Sequence, residues 1–240
     1  MENPLQMTAC RGAPYTHSYP RLPTPQRCAI ITPVTQKWQA ILLIGPTGAG
    51  KTPLGEILEK RGLWGRKCLH FDFGSQLRTS VVRQSTPLNR EEIATVRALL
   101  KANALLEDAH FPIALKLFQD FLSLHQAARS ELIIMNGLPR HEGQAARLDG
   151  AIEMLALVCL NCSPEVVRAR IKTNAGRDRK KRLDDSLPEV ARKLKIYEAK
   201  TLPLVEYYRG LGVRILSIQV GATTQAIELR SWLEEHEPGK

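Results

Sequence analysis

Gly45-Pro-Thr-Gly-Ala-Gly-Lys51-Thr52 is the segment whose residue types and spacing carry the most chemistry. It satisfies G-x-x-x-x-G-K-[ST] at every specified position, a pattern built to hold polyphosphates. The glycines let the backbone curl so that its N–H groups face phosphate oxygens, and the start of a following helix adds positive potential. Gly45, Thr47, Gly48, Ala49, Gly50, Lys51 and Thr52 are therefore the expected nucleotide-binding set. Lys51 is expected to reach the β- and γ-phosphates, and Thr52 to ligate Mg²⁺. Pro53 has no N–H, so a donor that could serve an α-phosphate is missing. Proline in a first helical turn is otherwise harmless.

A second concentration of charge lies downstream. Residues 166–182 carry eight basic side chains, from Arg168 and Arg170 to Lys181 and Arg182, against one acid, Asp178. Such a run is either a solvated face or a grip on phosphates, those of a polynucleotide or of a small anion. The whole chain has a net charge of +10, which raises nucleic acid as a partner. No basic strand interleaved with aromatics and no recognisable reader module accompanies that charge, so no nucleic-acid partner is expected.

Residues that grip phosphate must be positioned by a folded core, and the composition provides one. Of 240 residues, 43% are hydrophobic and 24% charged, which describes a globular chain and excludes disordered, collagen-like and disulfide-scaffold classes. The longest uninterrupted apolar runs, 40–44 and 154–160, are too short to span a bilayer, and no membrane association is expected. Residues 1–36 hold six of the 15 prolines and no apolar stretch of export-signal length, and read as a flexible tail. Five cysteines, an odd number, do not make a disulfide framework, and a cytoplasmic location is expected. Cys159 and Cys162 form a lone C-x-x-C without a second ligand pair and read as buried thiols.

Strand and helix signals alternate from residue 37 onward. Apolar runs at 40–44, 69–73, 132–135, 154–160 and 214–218 predict five strands, the fourth of which could begin as a helix end. Helical periodicity covers 53–61, most of 90–126, 164–171, 187–209 and 224–235. Strands buried on both faces and joined by helices imply an α/β fold with a parallel sheet.

Several further segments resemble one family. Asn136-Gly-Leu-Pro-Arg140 followed by Gln144 is similar to the D-G-F-P-R-x-x-x-Q signature of adenylate and related nucleoside monophosphate kinases. Arg182-Leu-Asp-Asp185, then Lys193-Leu194, Tyr197 and 201–208 (TLPLVEYY), resembles that family's R-x-D-D…R-L-x-x-Y-x-x-x-T-x-P-L-x-x-Y-Y stretch. Residues 73–78 (FGSQLR) resemble T-G-D-x-L-R, and 105–108 (LLED) stand where the family writes L-V-x-D. The likeness runs from residue 40 to about 219.

The resemblance implies a P-loop NTPase fold: a five-stranded parallel sheet flanked by helices, with two attached parts. A helical insert at 74–130 would bind the monophosphate, and a short lid at 172–182 would close over the triphosphate. The domain would span 37–240, act as a monomer, and take ATP, Mg²⁺ and a nucleoside monophosphate, AMP foremost. Arg78 and Arg140 would fork onto the acceptor phosphate, as guanidinium geometry suits. Gly74 and Gly137 would sit beside them, and Gln144 would read a base edge. Lys51, Arg170, Arg182 and Lys193 would surround the transferring group, which needs fixed cations more than general bases. Asp184 and Asp185 would hold the lid arginines. Tyr207, Tyr208, Phe118 and Phe121 read as packing, and His70 and His141 carry no required role.

The chain also departs from the pattern. Asn136 replaces the aspartate that helps hold the Mg²⁺ hydration shell, and Asp72, on a neighbouring strand, is the residue that could substitute. Lys193 stands for arginine, Phe73 and Ser75 for Thr and Asp, and Leu138 for Phe. Three alternatives therefore stay open beside a monophosphate kinase: a weakly catalytic nucleotide-binding regulator, a kinase of another small acceptor, and a nucleic-acid binder with a vestigial loop.

Overall fold

Successive residues of a strand point to opposite faces, and here both faces are apolar. Ala40, Leu42 and Ile44 of β1 (Trp38–Ile44) join one core cluster, whereas Ile41 and Leu43 join the other. A strand buried on both sides needs helices on both sides, and parallel neighbours need crossovers to connect them. A computed structural model describes residues 36–176 and 186–238 in this way. Five strands, β1, β2 (Cys68–Asp72), β3 (Leu132–Asn136), β4 (Ile152–Asn161) and β5 (Arg214–Gln219), pair in parallel in the order β2-β3-β1-β4-β5. The expected tail, apart from Gln36, lies outside the described residues. So does the predicted lid from residue 177 onward, with Arg182, Asp184 and Asp185.

α1 (Lys51–Arg61) and α9 (Ala226–Glu234) cover one face, burying Leu54, Leu58, Leu229 and Leu233. The other face takes α4 (Phe111–Leu124), whose Phe118 and Phe121 meet the Phe71 ring edge-on, each with centroids 5.2 Å apart. Each such pair contributes about 0.5–1.5 kcal/mol beyond its buried area. Within the span 74–130, α4 thus packs as part of the core layer. α2 (Phe73–Ser80) and α3 (Arg90–Ala102) lie nearer the loop that follows β1.

The helical span expected at 90–126 is two helices. A capping box between Asn89 and Glu92 starts α3, and Asn103, in the left-handed region at φ 48°, ends it. Pro112 then opens α4 in its first turn. The span 187–209 is also divided. Pro203 has no N–H, and Leu202 N donates back to Tyr197 O, giving a π-turn at Tyr197–Thr201 between α7 (Leu187–Ile196) and α8 (Leu204–Gly210). Two short helices escaped the periodicity, α2 and α5 (Glu142–Leu148), while α6 (Pro164–Thr173) matches its expected position. No described helix is long and apolar enough to cross a membrane.

β1 lies between β3 and β4, and the chain leaves it toward one side of the sheet and returns on the other. In open parallel sheets such a reversal opens a crevice at the carboxyl ends of the strands. One close approach braces that end. Gly55 of α1 faces His70 of β2, and a Cβ at position 55 would lie only 2.2–2.5 Å from three atoms of the imidazole ring. Alanine gains about 1 kcal/mol of helix propensity over glycine, but overpacking a buried contact costs about 1–3 kcal/mol. Gly55→Ala is therefore expected to lower the urea midpoint of unfolding. A midpoint that stays put or rises contradicts the packing at His70.

Candidate active site

The apolar run of β1 stops at Ile44, and the chain turns through Gly45–Gly50 into α1. Gly50 caps that helix at φ 102°, a conformation that side-chain-bearing residues rarely adopt. Ala49 is buried in the core beneath the turn, which anchors it. Lys51 Nζ sits over the loop, donating to Gly45 O at 2.6 Å and Pro46 O at 2.9 Å. Arg170, on α6, is 4% exposed. Its Nε donates to Gly48 O at 3.0 Å, and its Nη1 to Gly221 O at 2.8 Å and Thr224 O at 2.9 Å. These donors tie the loop to the segment after β5, and Arg170 also lines the cleft beside the loop.

Beside the loop, strand ends bring four polar side chains together. Asp72 and Asn136 are register partners on β2 and β3. Thr52 Oγ1 donates to Asp72 Oδ2 at 2.8 Å, and Asp72 Oδ1 accepts from Ser75 N at 2.8 Å, capping α2. Asn136 Nδ2 donates to Asp72 Oδ2 at 3.0 Å and Thr52 Oγ1 at 3.2 Å, and lies 3.4 Å from His70 Nε2. Burial holds His70 below its ordinary pKa, against the pull of Asp72 and Glu59. A hydroxyl and a carboxylate side by side are hard oxygen donors, the type that suits a small divalent cation keeping several waters.

Arg78 and Arg140, both exposed, line the same cleft. Gly74 and Gly137 leave room for them. A Cβ at position 74 would stand 3.3 Å from Arg78 Nη1, and one at 137 would stand 3.9 Å from Arg140 Nε. Gln144 is 1% exposed and both ends of its amide meet backbone. Oε1 accepts from Arg140 N at 2.8 Å, and Nε2 donates to Leu106 O at 2.8 Å. It fixes Arg140 and the segment after α3, where a base-reading contact was expected. Lys193, half-buried on α7, lines the same cleft, and Thr47 contributes to its wall. The predicted Arg182 lies outside the described residues.

Together these residues enclose an open cleft of about 260 Å³, where Lys51, Arg78, Arg140, Arg170 and Lys193 face one described carboxylate, Asp72. Sequence reasoning gave His70 no role, although His70 and Asp72, two apart on a strand, share a face by periodicity. Leu99, Leu100 and Tyr197 also line the cleft, and nothing local distinguishes them from core positions. Cys159 has its thiol pushed up to about 11 by burial, and Cys162 is raised by the same cause. Both are free thiols, and no group of three or more His, Cys, Asp or Glu that could hold a metal occurs among the described residues.

Residues 41–192 match a family model described as an AAA domain. The chain is also similar to adenylate kinases. It is 31% identical to one from Thermus thermophilus over 181 residues, covering 73% of this chain and 86% of that protein. It is 30% identical to one from Stenotrophomonas maltophilia over 179 residues, 72% of this chain and 86% of that protein. A Synechococcus adenylate kinase aligns over 198 residues at 27% identity, 80% of this chain and 96% of its own length.

Proposed function

The chain belongs to the adenylate kinase family of nucleoside monophosphate kinases, and on that premise we propose that it moves the γ-phosphoryl group of Mg-ATP to AMP. The observation that carries the reading is the distribution of charge across the cleft. Lys51 stands with the phosphate loop, Arg78 and Arg140 line the same cleft from other elements, and the described lining offers no spare base.

That lack of a base separates the acceptor classes. An alcohol must lose a proton as it attacks, whereas a phosphate monoester, with a second pKa of about 6, is already largely dianionic at neutral pH. The one described carboxylate in the cleft, Asp72, already accepts from Thr52, Asn136 and Ser75. A phosphate acceptor therefore fits better than a small alcohol. In the transfer, an oxygen of the AMP phosphate forms the new bond to Pγ as the bond from Pγ to the β–γ bridging oxygen breaks. Both products are ADP.

The protein's part is positioning and charge compensation, as phosphoryl transfer requires. The turn at residues 45–50 directs N–H groups to the β-phosphate, and Lys51 compensates charge developing on the β- and γ-oxygens. Lys193 approaches from α7, and Arg182, outside the described residues, belongs to the same reading. Arg78 and Arg140 hold the acceptor phosphate, with Arg140 anchored by Gln144. Thr52 and Asp72 would hold Mg²⁺, which when bound screens the charge of the triphosphate. A monomer working on free nucleotides in the cytoplasm completes the proposal. The free thiols Cys68, Cys159 and Cys162 suit such a reducing compartment.

A screen of nucleoside monophosphates and small alcohols with Mg-ATP tests the reading. AMP should give ADP fastest, other monophosphates should follow, and alcohols should give none. Phosphorylation of an alcohol in preference to every monophosphate would overturn it, as would tight ATP binding with no turnover on any acceptor.

A further inference from the structure

We propose that this chain has moved its metal-side carboxylate from the end of β3 to the end of β2: Asp72 is the working acid, and Asn136, held by His70, is its positioning residue. The proposal rests on the kinase reading above. It starts from the register, in which Asp72 and Asn136 are neighbours on parallel strands beside Thr52.

At that spacing the two positions accommodate one acid. Asn136 Nδ2 stands 3.0 Å from Asp72 Oδ2, a distance suited to a donor and a carboxylate. An aspartate at 136 would place an oxygen there, setting two carboxylates against each other. The amide is also held from behind. His70 Nε2 lies 3.4 Å from the same nitrogen, so its lone pair and Thr52 Oγ1, at 3.2 Å, share the second amide hydrogen. Turning the amide over would set its oxygen against both the carboxylate and the imidazole lone pair. Gly55 leaves the space that lets His70 occupy this place.

Asp72 in turn orients the Thr52 hydroxyl. Oγ1 gives its hydrogen to Asp72 Oδ2 at 2.8 Å and faces Asn136 Nδ2 at 3.2 Å, which leaves one lone pair for another partner. That is the orientation in which a hydroxyl ligates a cation. The contact from Ser75 N to Oδ1 fixes the carboxylate itself. Thr52, Asp72, Asn136 and His70 thus form one connected unit in which each side chain sets the next.

The test reads metal linkage in binding, apart from turnover: the ratio of ATP affinity in excess Mg²⁺ to that in EDTA, measured by titration calorimetry. Asp72→Asn should cut this Mg²⁺ enhancement by about 10- to 100-fold. Asn136→Asp alone should give no rise, because the new acid crowds the old. The exchange Asp72→Asn with Asn136→Asp should recover the enhancement to within a few-fold of wild type, a coupling that a double-mutant cycle isolates. An undiminished enhancement in Asp72→Asn overturns the proposal. So does additivity across the cycle, or a tenfold rise in Asn136→Asp, which needs no other variant to fold. A wild-type protein that transfers phosphate to AMP while any of these occurs loses this inference alone. A wild-type protein that makes no ADP loses the kinase reading instead.

Discussion

Lys51→Ala is expected to lower kcat for phosphoryl transfer by about 10²–10³-fold or more, the range seen when one preorganised charge donor is removed from a transition state. The ammonium group spans two adjacent carbonyls of the loop, Gly45 O and Pro46 O, at the mouth of the cleft. Water can reach that mouth and satisfy those carbonyls, so the fold should lose only about 1 kcal/mol. Water cannot follow the charge that develops on the transferring group, because it is not fixed there in advance. The variant should therefore melt near the wild-type temperature while turning over far more slowly. Wild-type turnover in a folded Lys51→Ala protein would remove the loop from the chemistry.

Arg140→Lys keeps the charge and should still reduce kcat/KM for the monophosphate by about 10- to 100-fold. A planar fork that can meet two phosphate oxygens becomes a single flexible point charge. A hydrogen bond to a charged group is worth about 1.5–3 kcal/mol, and the loss of one or more sets that range. The position explains why the effect should be one-sided. Arg140 follows the turn after β3, where Gln144 Oε1 holds its backbone N at 2.8 Å, and no hydrogen bond ties it to the phosphate loop. ATP affinity, measured without acceptor, should stay within about twofold. Equal weakening of ATP and acceptor binding would contradict the assignment of Arg140 to the acceptor side.

Lys51 is marked in the sequence by a local signal, whereas the role proposed for Arg140 comes from the family resemblance. A Gly-rich turn after an apolar run declares a phosphate loop by spacing alone, and five apolar runs bounded by turns mark five strands. What stayed hidden depends on contacts between distant segments. Asp72 and Asn136 are 64 positions apart, and only the parallel register makes them partners. Arg170 belongs to a basic run that composition reads as a face or a grip, yet its guanidinium is enclosed by carbonyls from residues 48, 221 and 224. The resemblance implies a base reader at Gln144, and the fold adds contacts from its amide to the backbone of Arg140 and Leu106. The end of α3 at Asn103 was missed because apolar periodicity continues on either side of it, while a left-handed cap is set by one residue's backbone.

Transfer between the two nucleotides can be followed through the phosphorus atom itself. ATP labelled at its γ-phosphate is mixed with Mg²⁺, AMP and the purified protein, with Lys51→Ala as the control, and the nucleotides are separated. Label should appear in the β-position of ADP made from AMP, two ADP should form for each ATP consumed, and the control should show almost none. Label found only in inorganic phosphate, or no loss of ATP despite its binding, would contradict the account.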